Sequence, residues 1–264
     1  MTKKAKFFIA CAVIFVLGAA MTIVGKAAGG LDYLQNNGIE AADRVVTQNK
    51  MEFDSVEVSG TVDIELVGSR YYREVLADYE LRGDAAEEIG NIIVITDEGK
   101  EVPDVKADDG KLMIDAPDQY KSKLYCPTVI IFCSDEVMKS IKVRAPYSDM
   151  DISGVSFENA DIENDSGDID CKDIMSNGIR IKSDAGSVDI SGVLEGLTDV
   201  TAEAGDIEVR TFAGLPGYTM DLSATAGDIT IGDKEIEGGS YTQEGGESKL
   251  ILKTSAGDIK VDNR

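Results

Sequence analysis

Apolar and polar residues alternate along most of the chain after residue 52. Val56 and Val58 alternate with polar neighbours, and Val62, Ile64 and Leu66 continue the pattern. Successive side chains of a β-strand point to opposite faces, so a period of two predicts short, half-buried strands. Further runs of this kind, several of them separated by Gly and Asp, lie at residues 71–76, 92–96, 112–114, 129–133 and 141–143. Residues 78–91 are less regular, and a single helical turn is expected at 84–89.

A short phrase recurs in the second half of the chain. It reads small residue, Gly, Asp, apolar, any residue, apolar, as in AGDITI at residues 226–231. An alternating strand precedes each copy, and a Gly-rich polar insertion at 235–249 lengthens the last repeat. The glycines, at successive spacings of 19, 19, 22 and 30 residues, are Gly167, Gly186, Gly205, Gly227 and Gly257.

A period near 20 residues is typical of a stacked array, because one such unit cannot bury its own apolar face. We therefore predict an all-β fold, a β-solenoid or β-roll of stacked parallel strands. An antiparallel β-sandwich is the alternative, since short strands with regular turns suit that architecture too.

Each position of the phrase has a structural interpretation. Gly227 can take a positive φ and set a tight corner, and the small Ala226 suits a corner with little room. Ile229 and Ile231 are two residues apart, so both point into the interior. Asp228 alternates with them and therefore points outward.

Stacking in sequence order would place Asp206 and Asp228 about 4.8 Å apart. Two such carboxylates repel by about 0.9 kcal/mol even in water. Either each accepts a hydrogen bond from a corner N–H, or Ca²⁺ bridges them. One repeat has Ser187 in place of the Asp. Serine can accept a hydrogen bond, but it is not a charged metal ligand. The turn is therefore favoured, and we predict no metal-binding, cofactor-binding or catalytic residue.

The N-terminal region contains nineteen uncharged, mostly apolar residues at 7–25. As a helix they span about 28 Å, close to the thickness of a bilayer core. Lys3, Lys4 and Lys6 precede the run, which predicts a cytoplasmic N-terminus and an extracellular remainder in a single-pass membrane protein. A signal peptide cleaved near residues 18–20 and a secreted product are the alternative. The predicted divisions are 1–26 anchor or signal, 27–50 juxtamembrane spacer with a short helix near 39–46, 51–147 N-terminal β part, and 148–264 repetitive solenoid.

The charge is strongly acidic. Residues 27–264 contain 22 basic and 49 acidic residues, a formal charge of −27. Nucleic-acid binding is excluded as a function class, because phosphate contacts require the opposite sign. Four cysteines are too few for a disulfide scaffold. Cys126 and Cys133 lie on one predicted strand, about 23 Å apart if extended, and cannot pair along it. Cys171 takes an inward position, so buried free thiols are expected.

The sequence contains little that indicates catalytic chemistry. The chain has no His, so Ser-His-Asp and Cys-His arrangements are impossible. Paired carboxylates can hydrolyse polysaccharides, but with 49 acids close pairs arise by chance. The acids considered are Asp149, Asp151, Asp161, Asp165, Asp168 and Asp170. Tyrosines that could mark a binding face are Tyr71, Tyr72, Tyr120, Tyr125, Tyr147 and Tyr241. Packing within strands is the favoured explanation for them. Tyr241 is the strongest candidate for a binding role, because it lies in the inserted loop.

These repeats, the preceding FDSVEVSGTVDIELV and the N-terminal apolar run resemble a bacterial β-strand-repeat family of unknown function, labelled putative adhesin. The resemblance extends from about Phe53 to the end of the chain and is strongest over residues 149–261. It implies an exported cell-envelope protein with a β-solenoid, and some members are linked to envelope-stress operons. It implies no catalytic or binding residue.

The sequence thus predicts a non-enzymatic, membrane-anchored extracytoplasmic protein. A surface-binding or adhesion module contacting protein or glycan at the cell surface is the first hypothesis. An envelope-stress or signalling accessory that binds a membrane protein is the alternative, and a polysaccharide-active enzyme is the remote one. The adhesion role rests on the family label rather than on any residue.

Overall fold

The structure, a computed structural model, describes residues 44–79, 90–97, 101–116, 126–236 and 239–263, with side chains from residue 49 onward. The chain divides into two units, Met1–Arg44 and Val45–Arg264, and all but the first described residue belong to the second. The predicted anchor or signal lies outside the described residues. Among the described residues, no helix has the length and apolar character needed to cross a bilayer.

The strands before residue 147 are short. They are β1 Arg44–Lys50, β2 Ser55–Ser59, β3 Asp63–Val67, β4 Asn91–Asp97, β5 Asp104–Asp108, β6 Lys111–Asp115, β7 Thr128–Phe132 and β8 Met138–Arg144. The only α-helix in the described ranges is α1 Tyr72–Asp78, preceded by a 3₁₀ turn at Ser69–Tyr71. Residues 44–46 thus begin a strand rather than forming the predicted short helix.

The strands of the repetitive part are longer. They are β9 Met150–Ser153, β10 Ser156–Ser166, β11 Ile169–Ala185, β12 Val188–Ala204, β13 Ile207–Thr211, β14 Tyr218–Ala226, β15 Ile229–Ile231, β16 Lys234–Ile236, β17 Ser240–Gln243, β18 Ser248–Ala256 and β19 Ile259–Asn263. A second 3₁₀ turn lies at Leu215–Gly217.

The strands form one curled sheet with two stacks that meet at the Gly-Asp corner. Stack A follows the order β5–β6–β2–β8–β10–β11–β12–β18–β14–β17. Stack B follows the order β1–β4–β7–β3–β9–β11–β12–β13–β19–β15–β16. The long strands β11 and β12 contribute their first residues to stack B and their last residues to stack A. The pairings from β6 to β14 in stack A and from β7 to β15 in stack B are all parallel, so the all-β prediction and the predicted parallel stacking are confirmed.

The order of the coils departs from the order of the sequence at both ends. The coil β2–β3 lies between β6–β7 and β8–β9. The last coil, β18–β19, lies between β12–β13 and β14–β15. An antiparallel strand follows each end of the parallel pairings, namely β5 and β17 in stack A and β4 and β16 in stack B, with β1 beyond β4. Because an uncovered edge invites pairing with other chains, these caps protect the ends of the array.

The hydrophobic core lies in the angle between the two stacks. Inward residues of both stacks are buried together, among them Val56, Ile141 and Ile179 from stack A and Ile169 and Val188 from stack B. Cys133 and Cys171 are buried free thiols and Cys126 is a half-buried one, as expected for thiols that behave as small apolar side chains.

A second, smaller core lies on the outer side of stack B. Tyr72 and Leu76 of helix α1 are four residues apart, and they pack on Ile130 and Phe132 of β7. The Tyr72 ring meets that of Phe132 edge to face at 4.7 Å. The prediction of a strand at 71–76 was wrong, because the spacing of Tyr72, Leu76 and Tyr79 follows the helical period rather than the strand period.

Candidate functional site

The recurring aspartates form a row of hydrogen bonds along the corner. Asp168 Oδ1 accepts from the backbone N–H of Ser187 at 2.9 Å, and Asp149 Oδ1 accepts from that of Asp168 at 3.0 Å. The same contact joins Asp63 to Asp149, Asp206 to Asp258, and Asp258 to Asp228. The favoured turn interpretation is thereby supported, with one correction: the N–H comes from the next coil rather than from the same turn.

The assumed neighbours Asp206 and Asp228 are not adjacent. Asp258 lies between them, because its coil is inserted there. Gly227 was predicted to take a positive φ at the corner, but its φ lies outside the left-handed region. Another property must therefore require glycine at this position. A Cβ on Gly227 would lie 1.9 Å from the carbonyl oxygen of Gly257, and one on Gly186 would lie 2.1 Å from that of Gly167. The steric restriction therefore applies to the glycines. It does not apply to Ala226, which is exposed.

A second row of acids runs along the outer face of stack B, two residues beyond the corner. Neighbouring strands place these side chains in register, in the order Glu65, Asp151, Asp170, Asp189 and Glu208. We call these five residues the carboxylate row. Neighbours are about 4.8 Å apart across parallel strands, and like charges in such positions destabilise a sheet.

Only the ends of the carboxylate row have partners among the described residues. Tyr79 O–H donates to Glu65 Oε1 at one end. Glu208 contacts Lys260 Nζ at 2.9 Å and Arg210 at 2.7 Å at the other. In the described ranges, no hydrogen bond or ion pair holds the three central side chains, Asp151, Asp170 and Asp189.

The pKa values follow this arrangement. Burial raises the pKa of Glu65 from 4.5 to about 7, against the hydrogen bond from Tyr79. Loss of hydration, with Asp170 and Asp149 nearby, raises the pKa of Asp151 from 3.8 to about 6. The pKa values of Asp170 and Asp189 are raised mainly by desolvation as well. Lys260 lowers the pKa of Glu208. Asp151 is exposed by surface area, but the adjoining acids and helix limit its hydration.

The carboxylate row lies in a groove on stack B. One cavity of about 200 Å³ lies beside helix α1 and is lined by Glu65, Asp151 and Asp170. A second, of about 290 Å³, continues along Asp189 and Glu208. The two cavities share Asp170 and Lys172, so they form one groove. Helix α1 is held beside it by Tyr71, whose O–H donates to Asp173 Oδ2 at 2.6 Å.

The outer face of stack A is arranged differently in its central row. Acids and bases alternate there across five strands, in the order Glu57, Lys142, Asp161, Arg180 and Asp199. Ion pairs join neighbours, for example Lys142 with Glu57 at 3.3 Å and Arg180 with Asp199 at 3.5 Å. Three exposed acids, Asp165, Asp184 and Glu203, lie nearer the corner of the same face.

The structure separates the acids that the sequence search considered together. Asp149 and Asp168 belong to the corner row, and Asp151 and Asp170 to the carboxylate row. Asp161 contacts Arg144 at 2.9 Å on stack A, where the exposed Asp165 also lies. Sequence reasoning missed Glu65, Asp189 and Glu208. The available signal was the acid two positions after the corner residue in successive repeats, as in SGDID and AGDIEV.

The tyrosines have mainly structural positions. Tyr72 is buried and donates to the carbonyl of Cys133. Tyr241 is half-buried on the core, where its strand β17 caps stack A and its O–H contacts Gln243 at 3.1 Å. Tyr147 is exposed, and Tyr120 and Tyr125 lie outside the described residues. In the described ranges, no group of three or more His, Cys, Asp or Glu side chains is arranged to hold a metal ion.

The chain belongs to the Toastrack DUF4097 family, whose model matches residues 93–263. This agrees with the β-repeat resemblance in the sequence. A putative cell adhesion protein from Clostridium sporogenes has a similar structure, with a TM-score of 0.51 and 11% identity, over 84% of this chain and 100% of that one. A putative adhesin from Bacteroides fragilis matches with a TM-score of 0.35 and 11% identity, over 85% and 100% of the two chains. At this identity the first likeness concerns the fold alone. No curated protein sequence matches the chain.

Proposed function

We propose that this chain is a non-enzymatic binding protein of the cell envelope, anchored by its N-terminal apolar run, and that the groove on stack B receives a positively charged partner. The observation that carries the proposal is the unpartnered centre of the carboxylate row. Asp151, Asp170 and Asp189 face outward in register without a hydrogen bond or ion pair among the described residues, and their mutual repulsion destabilises the sheet. The nearby charges of Lys172 and Arg210 offset that repulsion only in part, at Asp170 and Asp189. A cationic partner would remove that repulsion on binding.

The contrast between the faces supports this interpretation. In the central row of stack A the chain places an opposite charge next to every acid. On stack B, three successive acids of the carboxylate row form no ion pair within the described residues. Charge complementarity across an interface increases association rate and selectivity, so a groove lined mainly by acids suits recognition of a cationic partner.

The geometry favours binding over glycoside hydrolysis. Hydrolysis needs two carboxyl groups on opposite sides of the scissile bond. Members of the carboxylate row project in the same direction from neighbouring parallel strands, so they line one side of a groove. The C. sporogenes protein of similar fold is described as a putative cell adhesion protein, which agrees with an adhesin-type role for this chain.

The test is zero-length carbodiimide cross-linking on intact producing cells, because this reagent joins carboxylates directly to partner amines. We expect adducts on the wild-type chain and their loss in the triple variant Asp151→Asn, Asp170→Asn, Asp189→Asn. The matched control, Asp165→Asn, Asp184→Asn, Glu203→Gln, removes the same charge from stack A and keeps the adducts. Equal capture by all three proteins would contradict the proposal.

The identity of the captured molecule separates the two candidate roles. Material from the wall or from foreign cells supports adhesion. A specific protein of the same membrane supports the envelope-stress or signalling role instead. The mass of the mature chain tests the anchor, because signal cleavage near residues 18–20 would remove the apolar run.

A further inference from the structure

A depression on the outer face of stack A has the character of a ligand site. Its cavity volume is about 430 Å³, and the polar residues that line it around Gly178 are Ser140, Lys142, Asn159, Asp161, Asn177 and Arg180. The carboxylate of Asp161 is paired with Arg144 at 2.9 Å. Ser140 and Asn159 are in register on β8 and β10, and Gly178 and Leu197 are in register on β11 and β12. The depression is separate from the groove on stack B and does not rest on the function proposed for it.

Gly178 forms the floor, and the backbone does not require glycine there. Its φ lies outside the left-handed region. An added Cβ would lie 3.0 Å from the amide oxygen of Asn159 and at least 3.8 Å from every other heavy atom outside the adjoining residues. By contrast, a Cβ on the nearby Gly196 would lie 2.0 Å from the carbonyl oxygen of Asn177. Glycine inside a strand weakens it and often marks a place where a ligand approaches the backbone.

The strand pairing is also irregular at this point. The register between β11 and β12 shifts between Ser176 and Gly178, and Gly196 has a φ of +64° on the partner strand. Such bulges are over-represented next to functional sites because they redirect side chains. Here the bulge lies beside Asn177, one of the two amides at the depression.

The lining side chains offer hydrogen bonds that the fold does not use. Among the described residues, the side chains of Ser140, Asn159 and Asn177 make no hydrogen bond to the rest of the chain, and all three are exposed. A hydroxyl and two amides can both donate and accept. This combination suits a ligand with several hydroxyl groups.

Arg180 adds an anion-binding group. Its ion pair with Asp199 has Nε as the contacting atom, at 3.5 Å, and its terminal nitrogens donate no hydrogen bond among the described residues. Arg144 on the same face is different: its terminal nitrogens contact Val143 and Asp161, and its Nε contacts Glu163 at 3.0 Å. A free guanidinium fork matches a carboxylate in bidentate geometry.

We propose that this depression binds one carboxylated sugar residue, a hexuronate, of a glycan chain. The ring lies over Gly178, its hydroxyl groups bond to Asn159, Asn177 and Ser140, and its carboxylate bonds to the terminal nitrogens of Arg180. Lys142 lies about 10 Å from Arg180, two strands away, and contacts the neighbouring sugar. The site is shallow, so the affinity for a short oligomer is in the millimolar range.

The test is a titration of the full chain, kept in a non-ionic detergent, with tetragalacturonate at 0.15 M salt, where the Debye length is about 8 Å. This ionic strength limits the repulsion from the acidic surface. The comparison ligand is the methyl ester of the same oligomer, which keeps the rings and removes the charge. We expect at least tenfold weaker binding of the ester.

Two variants make the test specific. Gly178→Ala fills the floor without changing charge, and Arg180→Gln removes the fork, so each should weaken binding about tenfold. The control Lys253→Gln removes a cation elsewhere on the same face and leaves binding unchanged. Melting temperatures of all variants establish that they fold. Equal binding of acid and ester, or binding unaffected by Gly178→Ala in a folded protein, would overturn the assignment.

Discussion

The carboxylate of Asp168 accepts a hydrogen bond from the backbone N–H of Ser187 in the next coil, at 2.9 Å. The same contact recurs along the corner. In the middle repeats, each aspartate accepts from a backbone N–H that lies 19 residues later in the chain. The recurring Asp is therefore a device for stacking coils in register.

Removing this acceptor should destabilise the array. Asp168→Ala leaves the N–H of Ser187 without its partner, and a lost hydrogen bond of this kind costs about 1 kcal/mol. Asp168→Asn keeps an acceptor oxygen and should cost less. Urea unfolding followed by circular dichroism measures both. If the Asn variant is as unstable as the Ala variant, charge rather than hydrogen bonding matters at this position.

The corner glycines should be intolerant of alanine whatever their φ. Gly227→Ala should destabilise the fold as strongly as Gly186→Ala, because each new Cβ would overlap a carbonyl oxygen of the adjacent corner. Overpacking of this kind costs about 1–3 kcal/mol. Gly217 has no atom within 4 Å of an added Cβ, so Gly217→Ala is the control. A tolerated Gly227→Ala would contradict the close stacking of the corners.

Stability should increase as the pH falls from 7.5 to 5. The folded-state pKa values of Glu65 and Asp151 are raised to about 7 and about 6, so the folded protein binds more protons than the unfolded chain between about pH 4 and 7. Stability falls with rising pH in that window. Melting temperatures across the range should show the trend.

The double variant Glu65→Gln, Asp151→Asn should flatten this pH dependence. The stack A triple variant Asp165→Asn, Asp184→Asn, Glu203→Gln controls for the overall negative charge and should retain the slope. An unchanged slope in the double variant would mean that other acids cause the dependence.

The contact between helix α1 and the curled sheet should depend on Tyr71. Its hydroxyl donates to Asp173 Oδ2 at 2.6 Å, and Lys172 Nζ lies 4.7 Å from the ring centre. Tyr71→Phe keeps the ring and removes the hydrogen bond, at a cost of about 1 kcal/mol. We expect faster hydrogen exchange in α1 and little change in β11.

A double-mutant cycle with Asp173→Asn isolates this contact. Coupling is expected for the pair Tyr71 and Asp173, since residues in one hydrogen bond do not act additively. Additive effects would show that the hydroxyl and the carboxylate act separately. The Tyr79→Phe variant, which removes the donor to Glu65, provides a comparison at the opposite end of α1.

The candidate groove was only partly predictable. The alternation of Asp168, Asp170 and Asp189 with buried neighbours places them on the outer face from sequence alone. That Glu65 continues the same row could not be read from the sequence, because β3 reaches its neighbour β9 across more than eighty residues. The unusual hydration of Glu65 and Asp151 depends on helix α1, which the sequence pattern had suggested to be a strand.

Sequence periodicity by itself determined that this chain is an all-β protein with an interior of aliphatic side chains, and it favoured stacked parallel strands over an antiparallel sandwich. Those properties follow from local geometry, since alternation sets the face of each side chain and the Gly-Asp phrase sets each corner. The tertiary structure alone decided the order of the coils, because β2–β3 and β18–β19 are inserted between neighbours that are distant in sequence. It also decided which acids have counter-charges, since that depends on the strand that lies alongside rather than on the residues that precede or follow.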